Sequence, residues 1–114
     1  MSDCLFCGIA EGKGKANLIY QDDAVVAFKD IVPKAPAHVL IIPRKHIVSV
    51  ADIEDQDQPL IGRIFQVAAR LARDLGIADS GYRVVVNSGP DAGQSVFHLH
   101  YHLLGGRQMT WPPG

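Results

Sequence analysis

Apolar and polar positions along the chain follow two different periods. Between residues 57 and 75, Leu60, Ile64, Ala68, Leu71 and Leu75 step by four, four, three and four. That spacing gathers side chains on one face of an α-helix. Ile61, Phe65 and Ala72 widen the stripe, and Gln58, Arg63, Gln66, Arg70 and Arg73 fill the opposite side. Asp57 is a candidate N-cap, Pro59 suits the first turn, and Gly76 is a natural stop. Gly62 inside this helix costs roughly 1 kcal/mol relative to alanine. Strands are predicted at Leu18-Ile19-Tyr20 and from Ala24 to Phe28, joined by Gln21-Asp22-Asp23 as a short hairpin connection. His38 to Ile42 is apolar on both faces except for His38, which predicts an interior strand closed by Pro43. Pro33 and Pro36 mark residues 31–37 as a loop, Tyr82 to Val86 reads as a strand, and a short helix over 4–10 fades into Gly12-Lys13-Gly14.

A further strand is predicted over 97–104, where His98, His100 and His102 alternate with apolar residues. Successive side chains of a strand point to opposite faces. The three imidazoles therefore share one face, and Phe97, Leu99, Tyr101 and Leu103 share the other. Strands, a helix, then strands, with short connections, predict one α+β domain over 1–114 with a largely antiparallel sheet.

Composition narrows the class. With 114 residues, 47% of them apolar, the chain suits one small domain with a single core. A formal net charge of -1 gives no reason to expect a nucleic-acid partner held by bulk electrostatics. No run of about 18 apolar residues and no basic-then-apolar leader is present. The expectation is a soluble cytoplasmic protein with no membrane partner. The two cysteines, Cys4 and Cys7, form a C-x-x-C pair, fewer than a secreted disulfide scaffold carries.

Three histidines on one face admit three readings. One is a structural, half-exposed polar face. The second is a metal site: at a rise of ~3.3 Å per residue, neighbouring histidines lie about 7 Å apart at the backbone and the outer pair about 13 Å. Two can share an ion, but all three converging on one would need strong bending. The third is nucleophilic catalysis on phosphorus, in which a neutral imidazole nitrogen forms a labile P–N bond that water then breaks. His100, flanked on both sides, is the natural nucleophile. Upstream, Asn87-Ser88-Gly89-Pro90-Asp91-Ala92-Gly93-Gln94-Ser95 is a turn-rich loop. Gly93 permits unusual backbone angles, consecutive amides there can form an anion nest, and Gln94 and Ser95 add side-chain donors.

At these residues the chain resembles the histidine triad (HIT) superfamily, whose signature His-x-His-x-His-x-x stands here as His98-Leu99-His100-Tyr101-His102-Leu103-Leu104. Gly93-Gln94-Ser95 precedes it at the family spacing, and Phe28-Lys29-Asp30-Ile31 and Ala35-Pro36-Ala37-His38 match nucleotide-side segments. The tail from Gly105 to Gly114 is similar to that of the histidine triad nucleotide-binding branch. The resemblance implies a five-stranded antiparallel sheet with one long and one short helix. It also implies a homodimer joining two sheets into ten strands, with the 57–75 helix near the interface.

For chemistry, the resemblance implies a purine nucleoside phosphoramidase that releases AMP or GMP from a P–N-linked amine, with no cofactor needed for the reaction itself. His100 would attack the α-phosphate and form a nucleotidyl-histidine. His38 and His102 would tune its protonation and relay protons, and His98 would orient it through a backbone carbonyl. Ser95 would bond the leaving nitrogen or a phosphoryl oxygen, and Asn87 and Gly93 would position the phosphate. Asp30 has the two oxygens to accept both ribose hydroxyls. Phe28 and Ile31 would wall the base, and Trp111 would reach substrate across the dimer. In members carrying the cysteine pair, Cys4, Cys7, His46 and His98 match the ligands of a structural zinc ion. Two further readings stand beside this one: a dinucleoside polyphosphate hydrolase or nucleotidyl transferase, which the tail disfavours, and a nucleotide-binding interaction module with little turnover.

Overall fold

Alternation along the strands builds a sheet with two different faces. The computed structural model describes residues 4–114. In it α1 spans Leu5–Ala10, β1 Leu18–Gln21, β2 Val25–Lys29, β3 Ala37–Pro43, α2 Gln58–Asp74, β4 Tyr82–Val86 and β5 Tyr101–Gly105. The strands form one antiparallel sheet in the order β1-β2-β3-β5-β4. β3 lies at its centre, which is why a strand apolar on both faces belongs there.

Val25 and Ala27 of β2, Val39 and Ile41 of β3, and Tyr101 and Leu103 of β5 face α2. The inward stripe of α2, Ile64, Val67, Ala68, Leu71 and Ala72, is at most 2% exposed and closes this main core. The opposite face carries Val26, Phe28, Leu40 and Ile42, packed under Phe6, Ile9 and Ala10 of α1. Truncating a core leucine such as Leu71 to alanine would cost about 2–5 kcal/mol by lost transfer energy and the cavity left behind.

The α2 stripe holds at its centre and departs at its edges. Phe65 stays 49% exposed and only edges against the Tyr101 ring at 5.5 Å. Gly62 is exposed and no atom of the chain would meet a Cβ there. Asp57 is the residue before α2, but its side chain makes no cap hydrogen bond to the helix. The 3₁₀ turns Val50–Asp52 and Asp55–Asp57 precede α2, and Asp57 serves the second of them. Its buried carboxylate accepts from the Glu54 amide at 2.9 Å and from Lys45 Nζ at 2.6 Å, so it is already spent. Gly76, at φ +74°, ends the helix as expected.

Asp22 fixes the β1–β2 hairpin. One carboxylate oxygen accepts from the Ala24 and Val25 amides, both at 2.8 Å. The other accepts from Tyr20 Oη at 2.6 Å and from Arg63 of α2 at 2.8 and 2.9 Å. Partial burial pushes this carboxyl upward, but the hydrogen bonds from Tyr20, the Ala24 and Val25 amides and Arg63 outweigh it and hold it well below the usual range.

The histidine segment is corrected by the fold. A strand forms only over Tyr101–Gly105, so His98 and His100 precede the ladder. Both neighbouring strands run out there: Tyr101 pairs with Ile41 of β3 and with Val86 of β4 as the last rungs. Beyond Ile41, β3 has only Ile42 and Pro43 left, and Pro43 has no amide proton to give. The alternation of faces survives for Leu99, which is buried in the main core, but Phe97 is 63% exposed. No helix among the described residues is long and apolar enough to cross a membrane.

Candidate active site

Register brings two of the candidate histidines together. His38 is opposite Leu104 and Leu40 is opposite His102, so His38 and His102 are diagonal neighbours on one face. Their rings meet through His38 Nε2 and His102 Nδ1 at 2.9 Å. The Lys34 amide donates to His38 Nδ1 at 2.9 Å, which makes that nitrogen an acceptor. The ring proton of neutral His38 therefore sits on Nε2 and is donated to His102 Nδ1. Asp30 Oδ2 lies 3.4 Å from the same Nε2. Burial holds His38 below the usual histidine range, opposed by Asp30 and helped by Lys34. His102 is pushed down to about 4 by burial, then by His100 and His38, with Asp30 opposing. Neutral His102, accepting at Nδ1, carries its own proton on Nε2.

His100 is 7% exposed, and its Nδ1–H donates to the His98 carbonyl oxygen at 2.7 Å. In the neutral ring that bond fixes the tautomer and puts the lone pair on Nε2. The Phe6 ring stands edge-on to His100 at 5.2 Å, and the His100 and His102 rings are 5.2 Å apart.

Fully buried His98 belongs to a second cluster. Its Nε2–H donates to the Pro43 carbonyl oxygen at 2.8 Å, which turns Nδ1 toward Cys4 Sγ at 3.4 Å, Cys7 Sγ at 3.5 Å and His46 Nδ1 at 3.2 Å. Cys7 Sγ and His46 Nδ1 are 3.2 Å apart. One ligand atom from each of the four residues lies within 4.8 Å of every other. Two sulfurs and two imidazole nitrogens so gathered are a donor set suited to a tetrahedral zinc ion. Burial lowers the pKa of His98, with the Pro43 bond opposing and His46 and His100 adding to the fall, so its lone pair is available. Cys4 also caps α1 by accepting from the Cys7 amide, which ties helix and cluster together.

A cavity of about 260 Å³ opens between α1 and the sheet. Phe28, Asp30, Ile31, Ser95, His100 and His102 line it, as do Leu5, Phe6, Ile9, Lys15, Ala16, Leu40 and Val96. Sequence reasoning did not single out this second group. Phe6 and Ile9, one helical turn apart in the short N-terminal helix, were the available signal. Asn87 lies beside the cavity, in a shallower depression shared with Asp30, His38 and His102.

The loop before the triad differs from an open anion nest. Gly93 has φ +82°, as its role in the turn requires, but its amide donates to the Pro90 carbonyl and that of Gln94 to the Gly89 carbonyl. The Gln94 side chain is buried, donating to the Val48 and Val96 carbonyls and accepting from the Gly89 amide. Gln94 therefore holds the loop in shape, while exposed Ser95 lines the cavity. Trp111 is 81% exposed and does not line the cavity of its own chain.

Known proteins share this fold. A HIT-like protein of Synechocystis is 45% identical over 98% of this chain and 97% of its own length. The crystal structure of a HIT family hydrolase from Legionella pneumophila superposes with a TM-score of 0.96 at 50% identity, covering 98% of this chain and all of that one. A zinc-bound histidine triad family protein from Mycobacterium smegmatis superposes with a TM-score of 0.79 at 33% identity, covering 93% of this chain and 76% of that one. The family model described as HIT domain matches residues 11–109, and with the triad, loop and sheet in place the chain belongs to that family.

Proposed function

We propose that the chain is a nucleotide-binding hydrolase of the histidine triad nucleotide-binding branch, cleaving purine nucleoside phosphoramidates through a nucleotidyl-histidine. The observation that carries this reading is the His100 Nδ1–H bond to the His98 carbonyl, which in the neutral ring leaves the lone pair on Nε2, in a cavity shared with Ser95 and Asp30. The similar Legionella pneumophila protein is a HIT family hydrolase, which supports the hydrolase part of this reading.

In this reading His100 Nε2 attacks the α-phosphorus and the P–N bond to the amine breaks. With the anionic phosphate bound beside it, the His38–His102 pair carries one extra proton; His102 Nε2 gives a proton to the departing nitrogen, and the pair is left neutral and joined through its 2.9 Å bond. The Ser95 hydroxyl bonds the leaving nitrogen, and Asn87 and the Gly93 turn flank the phosphate. A water then attacks the nucleotidyl-His100 bond, giving its proton back to the relay and releasing the nucleoside monophosphate. Asp30 takes the ribose hydroxyls, with Phe28 and Ile31 against the base.

Cys4, Cys7, His46 and His98 would hold structural zinc, which would fix the residue whose carbonyl orients His100 and take no part in the chemistry. A homodimer belongs to the same reading. Phe65 and Tyr82 leave an apolar surface on α2 and the β4 edge, and exposed Trp111 is available to a partner's cavity.

The test is to quench the protein during turnover of a labelled adenosine 5'-phosphoramidate and map the label. Label on His100 with release of AMP supports the reading. Faster cleavage of dinucleoside polyphosphates would favour the polyphosphate hydrolase or transferase, and binding without turnover would leave an interaction module.

A further inference from the structure

The sheet order lays the cavity out as a ruler. His100 and His102 stand at β5, Leu40 on β3, Phe28 and Asp30 on and just beyond β2, and Lys15 and Ala16 on the segment that leads into β1. Neighbouring strands lie about 4.8 Å apart, so the β1 side is roughly 14 Å from β5. A mononucleotide with its phosphate at His100 and its ribose at Asp30 therefore extends its base toward Lys15. This rests on the mononucleotide reading above.

Local packing holds Lys15 at that position. The Lys13 and Gly14 amides both donate to the Gly8 carbonyl, folding the segment back onto α1. A Cβ on Gly14 would come within 2.7 Å of Ile9 Cγ1, so only glycine allows this approach. On the other side of Lys15, the Asn17 carbonyl accepts from the Lys29 amide at 3.1 Å, anchoring the segment to the end of β2.

Among the described residues that line the cavity, Lys15 is the cation left to the base. Lys29 also borders the cavity, but strand alternation sends it to the α2 face with Val25 and Ala27, where it lines a separate cleft with Leu75 and Ile77. Among the described residues Lys15 makes no ion pair or side-chain hydrogen bond, and the other base-side walls, Leu5, Ile9, Ala16 and Phe28, are apolar. An ammonium has three donors and no acceptor. Guanine and hypoxanthine present O6 and N7 as two adjacent acceptors, whereas adenine presents N7 beside an amino donor.

We infer that Lys15 is a specificity-determining residue that gives the cavity a preference for 6-oxopurine nucleotides over adenine nucleotides. The experiment is calorimetric titration of the full chain with GMP, IMP and AMP, in the wild type, Lys15→Met and Lys15→Arg. GMP and IMP are expected to bind the wild type about three- to tenfold more tightly than AMP, the scale of one partly solvated charged hydrogen bond. Lys15→Met brings the three within about twofold, and Lys15→Arg keeps the order. AMP binding as tightly as GMP and IMP overturns the inference. So does IMP behaving like AMP, which would assign any preference to the guanine amino group, or a ratio unchanged in Lys15→Met. If none of the three binds, the mononucleotide reading falls and this inference falls with it.

Discussion

His98 and His100 are joined by a bond between the main chain of one and the side chain of the other, at 2.7 Å. The side chain of His98 meanwhile serves the Cys4–Cys7–His46 cluster. One residue therefore links a metal-type donor set to His100 without its own ring entering the cavity.

Replacing the nucleophile tests the reaction directly. His100→Ala is expected to lower kcat for a phosphoramidate by about 10⁴ or more, because no neighbouring group can take over covalent attack. Mononucleotide binding should persist, since Phe28 and Asp30 remain. Steady-state kinetics beside calorimetry would show the split; wild-type turnover would refute the assignment.

Acid should weaken the fold through the relay. His102 is held at about 4 in the folded protein against an ordinary 6.5, and His38 is lowered as well. Between those values the unfolded chain binds more protons, so stability falls as pH drops from about 6.5 toward 4. Above about 6.5 both histidines are neutral in both states and contribute no slope. Urea midpoints across this range should show the fall, and His102→Gln should flatten it.

Metal analysis addresses the Cys2His2 cluster. Protein purified without chelator is expected to hold about one zinc per chain, and Cys4→Ser with Cys7→Ser to hold none. The same variant should melt several degrees lower, as expected when a bound ligand that stabilises only the native state is removed. Zinc content of the wild type near zero after metal-replete purification would remove the ion from the account.

The Asp22 junction predicts an asymmetric pair of variants. Asp22→Ala leaves the Ala24 and Val25 amides and Tyr20 Oη without their acceptor and should cost about 2 kcal/mol. Arg63→Ala loses an exposed ion pair and an exposed hydrogen bond to Tyr20 Oη, and should destabilise clearly less. Denaturant unfolding of both variants measures the difference.

Periodicity carried most of the fold. The four-four-three-four step located α2, and the doubly apolar run at 38–42 located the central strand, because burial on one or two faces leaves a direct mark on composition. The end of β5 was not legible at His98, since it depends on where β3 and β4 stop, and that is a property of pairing. Asp57 looked like a helix cap because Lys45, its actual partner, is twelve residues away. Gln94 looked like a ligand donor because its carbonyl partners at Val48 and Val96 are backbone atoms, which no residue type announces. Resemblance to the triad family supplied the site residues, but it left the pocket's α1 wall and Lys15 unremarked.

The two faces of the sheet divide one chain between separate tasks. On β3, Val39 and Ile41 serve the α2 core while Leu40 lines the cavity and His38 the depression beside it, residue by residue in turn. A substitution at Leu40 therefore reshapes the cavity while Val39 and Ile41 keep the α2 core. The same alternation makes a one-residue insertion in β3 doubly damaging, because it would exchange the α2 core face for the cavity face at a single stroke.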